Sequence, residues 1–213
     1  AQGYAYLVAS SDSWGQFEPP ARYAHLLPGL VKEFGPRIRR EEMTGPRLLV
    51  IETGLSAADV PQPLGQEMRV GGARLLGVAV GDPSADGEPP MLVLTDALRA
   101  GGVLGLRSFW QVEAPFAEDY MIFVHLIDAD GGRPTQRDAP PWQGRFPTSS
   151  WRPGTLVVDA NDVYLPPGLA PGEYRVLMGM YDPETGARAP VSADGAPVPE
   201  GAVEVARVRV VQP

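Results

Sequence analysis

The side chains best suited to chemistry are concentrated between residues 125 and 159 of this 213-residue chain. The stretch combines one histidine, several carboxylates, an amide and two tryptophans. Its polar and aromatic members are His125, Asp128, Asp130, Gln136, Asp138, Trp142, Thr148, Trp151 and Asp159. If these side chains converge in the fold, they form a polar pocket with aromatic walls.

Carbohydrate binding is the chemistry that this mixture favours. Flat aromatic faces cover the C–H surface of a sugar ring, while carboxylates and amides bind its hydroxyl groups. The predicted carbohydrate site consists of His125, Gln136, Asp138, Trp142, Trp151 and Asp159. A packing role for both tryptophans, anchoring the long 137–154 loop, is the favoured alternative, because large aromatic side chains usually pack. For the histidine, the favoured alternative is a core residue bonded to the backbone or to an acid.

A metal site is a weaker prediction. Asp128 and Asp130, followed by Gly131, resemble the start of a calcium-binding loop, in which oxygen ligands alternate along the chain. Arg133 and Pro134 stand where further ligands would be needed, and Asp-Gly sequences are typical of hairpin turns. We therefore predict a hairpin, keep the two aspartates as weak metal candidates, and predict no cofactor.

The sequence contains no complete catalytic motif. It has no cysteine, no Gly-x-Ser-x-Gly nucleophile elbow and no phosphate-binding glycine loop. A glycoside hydrolase would need two opposed carboxylates, and the candidates are Glu113, Asp119, Asp138 and Asp159. Their separation cannot be derived from the sequence, so no catalytic residue is predicted.

The charge and hydropathy of the sequence limit the classes of partner that it is suited to bind. With 18 basic against 26 acidic residues the formal net charge is −8, which disfavours nucleic acid and anionic lipid. The longest apolar runs are far shorter than the roughly 20 residues that cross a bilayer. The first residues have no signal-peptide pattern, so any exporting element is expected outside this sequence.

Two regions are expected along the chain. Residues 1–53 predict a strand, a helix between Pro20 and Phe34, and a second strand from Arg47, a unit too small to be stable alone. Residues 54–66 are rich in proline and glycine and predict a linker.

Residues 67–213 predict an antiparallel β-sandwich, jelly-roll or immunoglobulin-like, because short alternating segments are separated by glycine and proline turns. The chain is thus mainly β with a small α/β unit in front. In the segment 120–128 both alternating faces are apolar, which predicts an interior strand. The predicted strands are 69–80, 91–96, 103–113, 119–128, 155–165, 172–181 and 202–211.

Several short motifs in this region carry a family resemblance. They occur, in order, at Ile122 to Gly131, Gln136 to Asp138, Pro147 to Gly154, Pro171 to Tyr174 and Gly179 to Asp182. This ordered set resembles the C-terminal extracytoplasmic β-sandwich of bacterial protein-mannosyltransferase-like membrane glycosyltransferases, which use lipid-linked sugars. Residues 3–11 and 45–50 are similar to the soluble segment that precedes that sandwich.

The resemblance implies a non-catalytic accessory module on the periplasmic or outer side of a membrane. The catalytic acids of that family lie in a membrane domain with no counterpart here. The implied partners are a glycan or polypeptide acceptor and a membrane domain upstream. The alternatives are a self-associating surface or filament protein and, third, a glycoside hydrolase.

Overall fold

The computed structural model describes residues 4–10, 38–41, 48–52, 60, 62–83, 93–144 and 146–212. In these residues the regular elements are β-strands and two short 3₁₀ turns, at Pro141–Gly144 and Thr148–Ser150. The helix predicted between Pro20 and Phe34 lies outside them. None of the described residues belongs to a helix long and apolar enough to cross a membrane.

The strands, in chain order, are β1 (Tyr4–Ser10), β2 (Ile38–Glu41), β3 (Leu48–Glu52), β4 (Gln62–Val70), β5 (Ala73–Asp82), β6 (Val93–Leu94), β7 (Ala97–Arg99), β8 (Val103–Val112), β9 (Met121–Ile127), β10 (Thr135–Ala139), β11 (Thr155–Tyr164), β12 (Gly172–Tyr181), β13 (Val191–Ala193), β14 (Ala196–Pro197) and β15 (Val203–Val211).

These strands form two sheets, and the predicted β-sandwich is confirmed. The large sheet has the order β14-β13-β4-β5-β8-β11-β1-β3-β2, with β6 paired to β5. The small sheet has the order β10-β9-β12-β15-β7. Pairing is antiparallel except between β1 and β11 and between β7 and β15, which are parallel. Consecutive strands such as β8 and β9 belong to different sheets, so the core is built from non-local contacts.

The core lies between the sheets and follows the two-residue period of the strands. Three alternating residues of β8, Leu104, Leu106 and Trp110, belong to the same buried cluster as Ile122, Val124 and Leu126 of β9. Each such side chain contributes about 1.5–3 kcal/mol by leaving water. This burial determines which face of each strand is turned inward.

Strand β9 also contributes side chains to the surface of the small sheet that is opposite the core. Phe123 and His125 alternate with the core residues and lie outside the core cluster. They therefore lie on the face turned away from the core, called here the outer face. Because β9 is flanked by β10 and β12, the predicted interior strand is confirmed.

One predicted strand, 69–80, is wrong as a single element. Gly71 and Gly72 divide it into β4 and β5, which pair as an antiparallel hairpin. Gly71 has a φ of +55°, and a Cβ on Gly72 would lie 2.5 Å from the Ala114 carbonyl oxygen. A glycine pair between alternating segments is a hairpin signal, and the single-strand prediction overlooked it.

The predicted strand 91–96 is shorter in the structure, since only 93–94 of its described residues form a strand, β6. Its residues 93–94 pair with β5 in the large sheet, whereas the next strand, β7, pairs with β15 in the small sheet. The chain therefore crosses between the sheets near Thr95. Strand β10, by contrast, was not predicted, because Thr-Gln-Arg-Asp-Ala has weak strand propensity and becomes a strand through its pairing with β9.

The division into two regions stays a prediction. Strand β4 begins at Gln62, within the 54–66 stretch predicted as a linker. The strands β1 and β3 of the predicted small unit pair with each other, and β1 continues the large sheet beside β11.

Candidate functional site

Three of the predicted site residues meet on the outer face. His125 and Gln136 are directly opposite each other in the β9–β10 register, and Asp138 lies two residues further along β10 on the same face. The Gln136 Nε2 donates to Asp138 Oδ1 at 3.3 Å, and His125 Nε2 lies 3.7 Å from the same oxygen. The carboxylate is thus shared by an amide and an imidazole.

The imidazole is held neutral at pH 7. Burial lowers the pKa of His125, and the positive charge of Arg133 lowers it further. The negative charge of Asp138 raises the pKa of His125 in part, while the positive charge of Arg188 lowers it. A neutral imidazole keeps one donor and one acceptor nitrogen, but His125 is only 7% exposed, so its main contact is with Asp138 rather than with a ligand.

An aromatic layer underlies this polar row. The rings of Phe123 and His125 are 4.6 Å apart, and the Arg188 guanidinium carbon lies 4.2 Å from the Phe123 ring centroid. The Phe123 ring fits because Gly179, opposite it on β12, has no side chain; a Cβ there would overlap the ring and lie 2.5 Å from the Gly201 carbonyl oxygen. The Arg188 guanidinium therefore lies over the Phe123 ring at the distance of a cation–π contact.

Tyr181 adds a hydroxyl at the same place. Burial raises its pKa, and the charge of Asp138 together with a side-chain hydrogen bond to it raises the pKa further. The phenol therefore remains protonated at neutral pH. Its proton is available to Asp138, which orients the carboxylate.

Trp142 lies on the turn that follows β10 and presents an exposed ring. Its indole Nε1 donates to the Val158 carbonyl oxygen at 2.8 Å, which fixes the plane of the ring, and the side chain is 36% exposed. The backbone is left-handed at Trp142 and at Gln143, with φ of 52° and 56°. Such a conformation is costly for residues other than glycine and persists only where the surroundings impose it.

Hydrogen bonding to Asp159 on β11 helps to impose the backbone conformation of Trp142. Asp159 accepts the Trp142 backbone N–H at 2.9 Å and the Asn161 Nδ2 at 2.6 Å. Burial raises its pKa above the usual value, although these hydrogen bonds act in the opposite direction. Because Asp159 is only 1% exposed, it supports the turn and does not reach a ligand directly, which corrects its predicted role.

Trp151 also departs from its predicted role. Its ring is 1% exposed and packs against Trp110, Phe116 and Phe146. The indole Nε1 donates to the Phe146 carbonyl oxygen at 3.1 Å. Both ring faces are occupied by protein, so Trp151 anchors the loop, as the alternative interpretation held.

The Asp128 turn is the predicted hairpin. Asp128 Oδ1 accepts the backbone N–H groups of Asp130 and Gly132 at 3.0 and 2.6 Å, and Gly131 has a φ of +83°. The carboxylate is thus used to close the turn between β9 and β10. In the described parts of the chain, no group of three or more histidines, cysteines or acids is placed to hold a metal ion.

The remaining carboxylates that could serve a hydrolase have structural partners. Glu113 pairs with Arg69 and Arg74, and Asp119 accepts the Ser149 backbone N–H. Asp138 faces outward from the small sheet, whereas Asp159 is buried in the large one. These carboxylates are thus distributed over separate elements.

Three residues of the site were not predicted from the sequence. Phe123 carried a signal, since alternation already assigned it to the face of His125. Tyr181 follows from the β9–β12 register, which the sequence does not contain. Arg188 lies in the segment after β12, and only the tertiary structure brings it to Phe123.

Comparisons with known proteins found structures of low sequence identity and low TM-score. No family model and no curated protein matches this sequence. A crystal structure of the C-terminal domain of Wzt is similar over 73% of this chain and 84% of that chain, with 13% identity and a TM-score of 0.46. A calcium-binding mutant of β-glucuronidase 2 from Bacteroides uniformis is similar over 70% of this chain but only 15% of that chain, with 14% identity and a TM-score of 0.37. At these values neither likeness carries an argument about function.

Proposed function

We propose that this chain is a non-catalytic, glycan-binding β-sandwich module. The binding surface comprises the exposed Gln136 and the partly exposed Asp138 on the outer face, with His125 buried beside them, and the exposed ring of Trp142. Asp138 and Trp142 are four positions apart in the chain, so their Cα atoms are at most about 14 Å apart. One oligosaccharide can therefore contact both.

The observation that carries this proposal is the fixed, exposed indole of Trp142. A solvent-exposed tryptophan whose N–H is bonded to Val158 offers a flat face that loses little entropy on binding. The neighbouring amide of Gln136 and carboxylate of Asp138 provide donors and acceptors for hydroxyl groups. Together, the indole ring and these polar groups match the apolar C–H face and the hydroxyl groups of a sugar.

We further propose that the chain lies outside the cytoplasm, next to a membrane glycosyltransferase domain of the same protein. The support for this proposal is the ordered resemblance from Ile122 to Asp182. The sequence encoded upstream of Ala1 tests it: a polytopic membrane region is expected, and an unrelated soluble domain would contradict it.

A glycan array followed by calorimetric titration tests binding. Trp142→Ala is expected to weaken binding about tenfold, since stacking on an aromatic face contributes on the order of 1 kcal/mol or more. Tyr164→Ala is the matched control, because Tyr164 is 57% exposed on β11, about 20 Å along the strand from Val158. Equal loss in both variants, or no binding to any glycan, would refute the proposal.

The assembly alternative receives less support. The strands at the ends of the two sheets are short: β14 has two residues, β7 three and β2 four. Short edge strands offer few free backbone groups to another chain. The concentration dependence of sedimentation tests this alternative directly.

A further inference from the structure

Arginine side chains accumulate on the outer face of the small sheet. Arg175 lies two residues from Leu177, which is opposite His125, and Arg207 is directly opposite Arg175 on β15. Arg209 follows on the same face, and Arg133 acts electrostatically on His125 from the β9–β10 turn. These residues and the guanidinium stacked on Phe123 make up the arginine face: Arg133, Arg175, Arg188, Arg207 and Arg209.

This face carries five arginines in a chain whose net charge is −8. The acidic residues on its strands are Asp138, Glu173 and Glu204, and Asp130 lies in the same turn as Arg133. Glu204 contacts both Arg207, at 2.7 Å, and Arg175, at 3.8 Å. Among the described residues Arg133 and Arg209 form no ion pair.

The pairing of Arg175 with Arg207 is unfavourable for the fold. Like charges directly opposite each other on neighbouring strands repel, and one carboxylate serves both guanidinium groups. A ligand that brings negative charge to this face would relieve the repulsion.

Arg188 is held in a geometry suited to such a ligand. Its guanidinium is stacked on Phe123, and Nη1 donates to the Glu200 carbonyl oxygen at 3.2 Å, which leaves other N–H groups of the fork for an anion. Gly201 makes room for it, since a Cβ there would lie 2.9 Å from the Arg188 Cβ. A planar, oriented guanidinium matches the two oxygens of a carboxylate.

We infer that the arginine face binds an acidic polysaccharide whose sugar carboxylates pair with Arg133 and Arg188 while its hydroxyl groups contact Gln136 and Asp138. This inference rests on the proposed function and adds the class of glycan. The arginines of the face are interrupted by acidic side chains, which suits a polymer with widely spaced charges better than a phosphate backbone with one charge per about 1.7 Å of duplex. A uronate polymer has hydroxyl groups between its charges, and Gln136 offers an amide to such groups.

Titration of the full chain with a panel of uronate oligomers tests the inference. The probes are oligogalacturonate, oligomannuronate and hyaluronan fragments, each beside its methyl ester, with single-stranded DNA of similar charge as a further arm. Binding of at least one acid form is expected, about tenfold tighter than its ester and weakened by salt. Equal binding of acid and ester would overturn the acidic class but leave glycan binding standing.

Two variants locate the interaction. Arg133→Gln is expected to weaken acid binding about tenfold and to leave ester binding unchanged, and Arg188→Gln to weaken acid binding by a larger factor than ester binding. Arg133 forms no ion pair, so its replacement does not threaten folding. Arg152→Gln, an exposed arginine outside the face, is the control with the same change of charge. Equal effects of all three variants, or DNA binding as tight as that of the acid oligomers, would overturn the inference; no binding to any sugar polymer would overturn the proposed function as well.

Discussion

The backbone N–H of Trp142 donates a 2.9 Å hydrogen bond to the buried Oδ1 of Asp159, seventeen residues further along the chain. This bond joins the turn after β10 to strand β11, which belongs to the other sheet. It helps to hold Trp142 in a left-handed backbone conformation and so determines where an exposed indole ring is presented.

Asp159→Ala is expected to release this turn. The Trp142 N–H and the buried Asn161 amide both lose their acceptor, at about 1–3 kcal/mol for each buried group left unsatisfied. Chemical denaturation should record the lower stability, and glycan affinity should fall with it. Asp159→Asn keeps one acceptor oxygen and should have a smaller effect; an equal loss in both variants would show that the charge matters rather than the bond to Trp142.

The Asp159 carboxyl group should also make the stability of the protein depend on pH. Burial raises the pKa of Asp159 in the folded chain, so the folded state retains a proton that the unfolded state releases near pH 4. Its contribution to stability is complete below that pH and is lost as pH rises through the folded pKa. The free energy of unfolding of the wild type relative to Asp159→Asn should therefore decrease as pH rises from about 4. A difference that is constant with pH would contradict the raised pKa.

The lowered pKa of His125 predicts that its contribution to stability changes with pH in the opposite direction. Its pKa is lowered in the fold, mainly by burial and then by Arg133, whereas the unfolded value is about 6.5. Its contribution is complete above that value and is lost as pH falls through the folded pKa. The stability of the wild type should decline more steeply than that of His125→Gln as pH falls below about 6.5. NMR titration of the imidazole checks the pKa directly.

Trp151→Ala is expected to cost about 3–5 kcal/mol of stability, the usual loss for a large aromatic side chain removed from a core. Its ring contacts Trp110, Phe116 and Phe146, and all of these contacts disappear. Trp142→Ala should cost far less, because that ring is partly exposed. Thermal denaturation of the two variants separates the anchoring tryptophan from the presented one, and a similar loss in both would contradict this assignment.

Gly179→Ala tests the packing of the aromatic layer. A methyl group there would overlap the Phe123 ring and approach the Gly201 carbonyl oxygen to 2.5 Å, which should cost about 1–3 kcal/mol and displace the Arg188 stack. Gly168→Ala, at a position where a Cβ has no neighbour within 4 Å, is the matched control and should be close to neutral. Unchanged stability in Gly179→Ala would mean that Phe123 can move away.

Much of the sandwich was predictable because its strands carry their own pattern. The alternation in β9, the glycine and proline turns around β12, and the Asp128 hairpin depend on neighbours close along the chain. The position of β10 was not predictable, since Thr135–Ala139 has little strand preference and extends only against β9. The predicted site is brought together only in part for a related reason: the sequence names suitable side chains but does not say which sheet face each one occupies, so Trp151 and Asp159 are buried while Gln136 and Trp142 are exposed.

The sequence by itself determined a cysteine-free, mainly β chain with a net negative charge and a polar, aromatic segment between His125 and Asp159. Only the tertiary structure decided that Trp151 is buried, that Asp159 supports Trp142 from below, and that Arg188 lies on Phe123. The physical reason is that strand alternation is a local property. Register, sheet membership and the meeting of distant turns depend on how two sheets share one core.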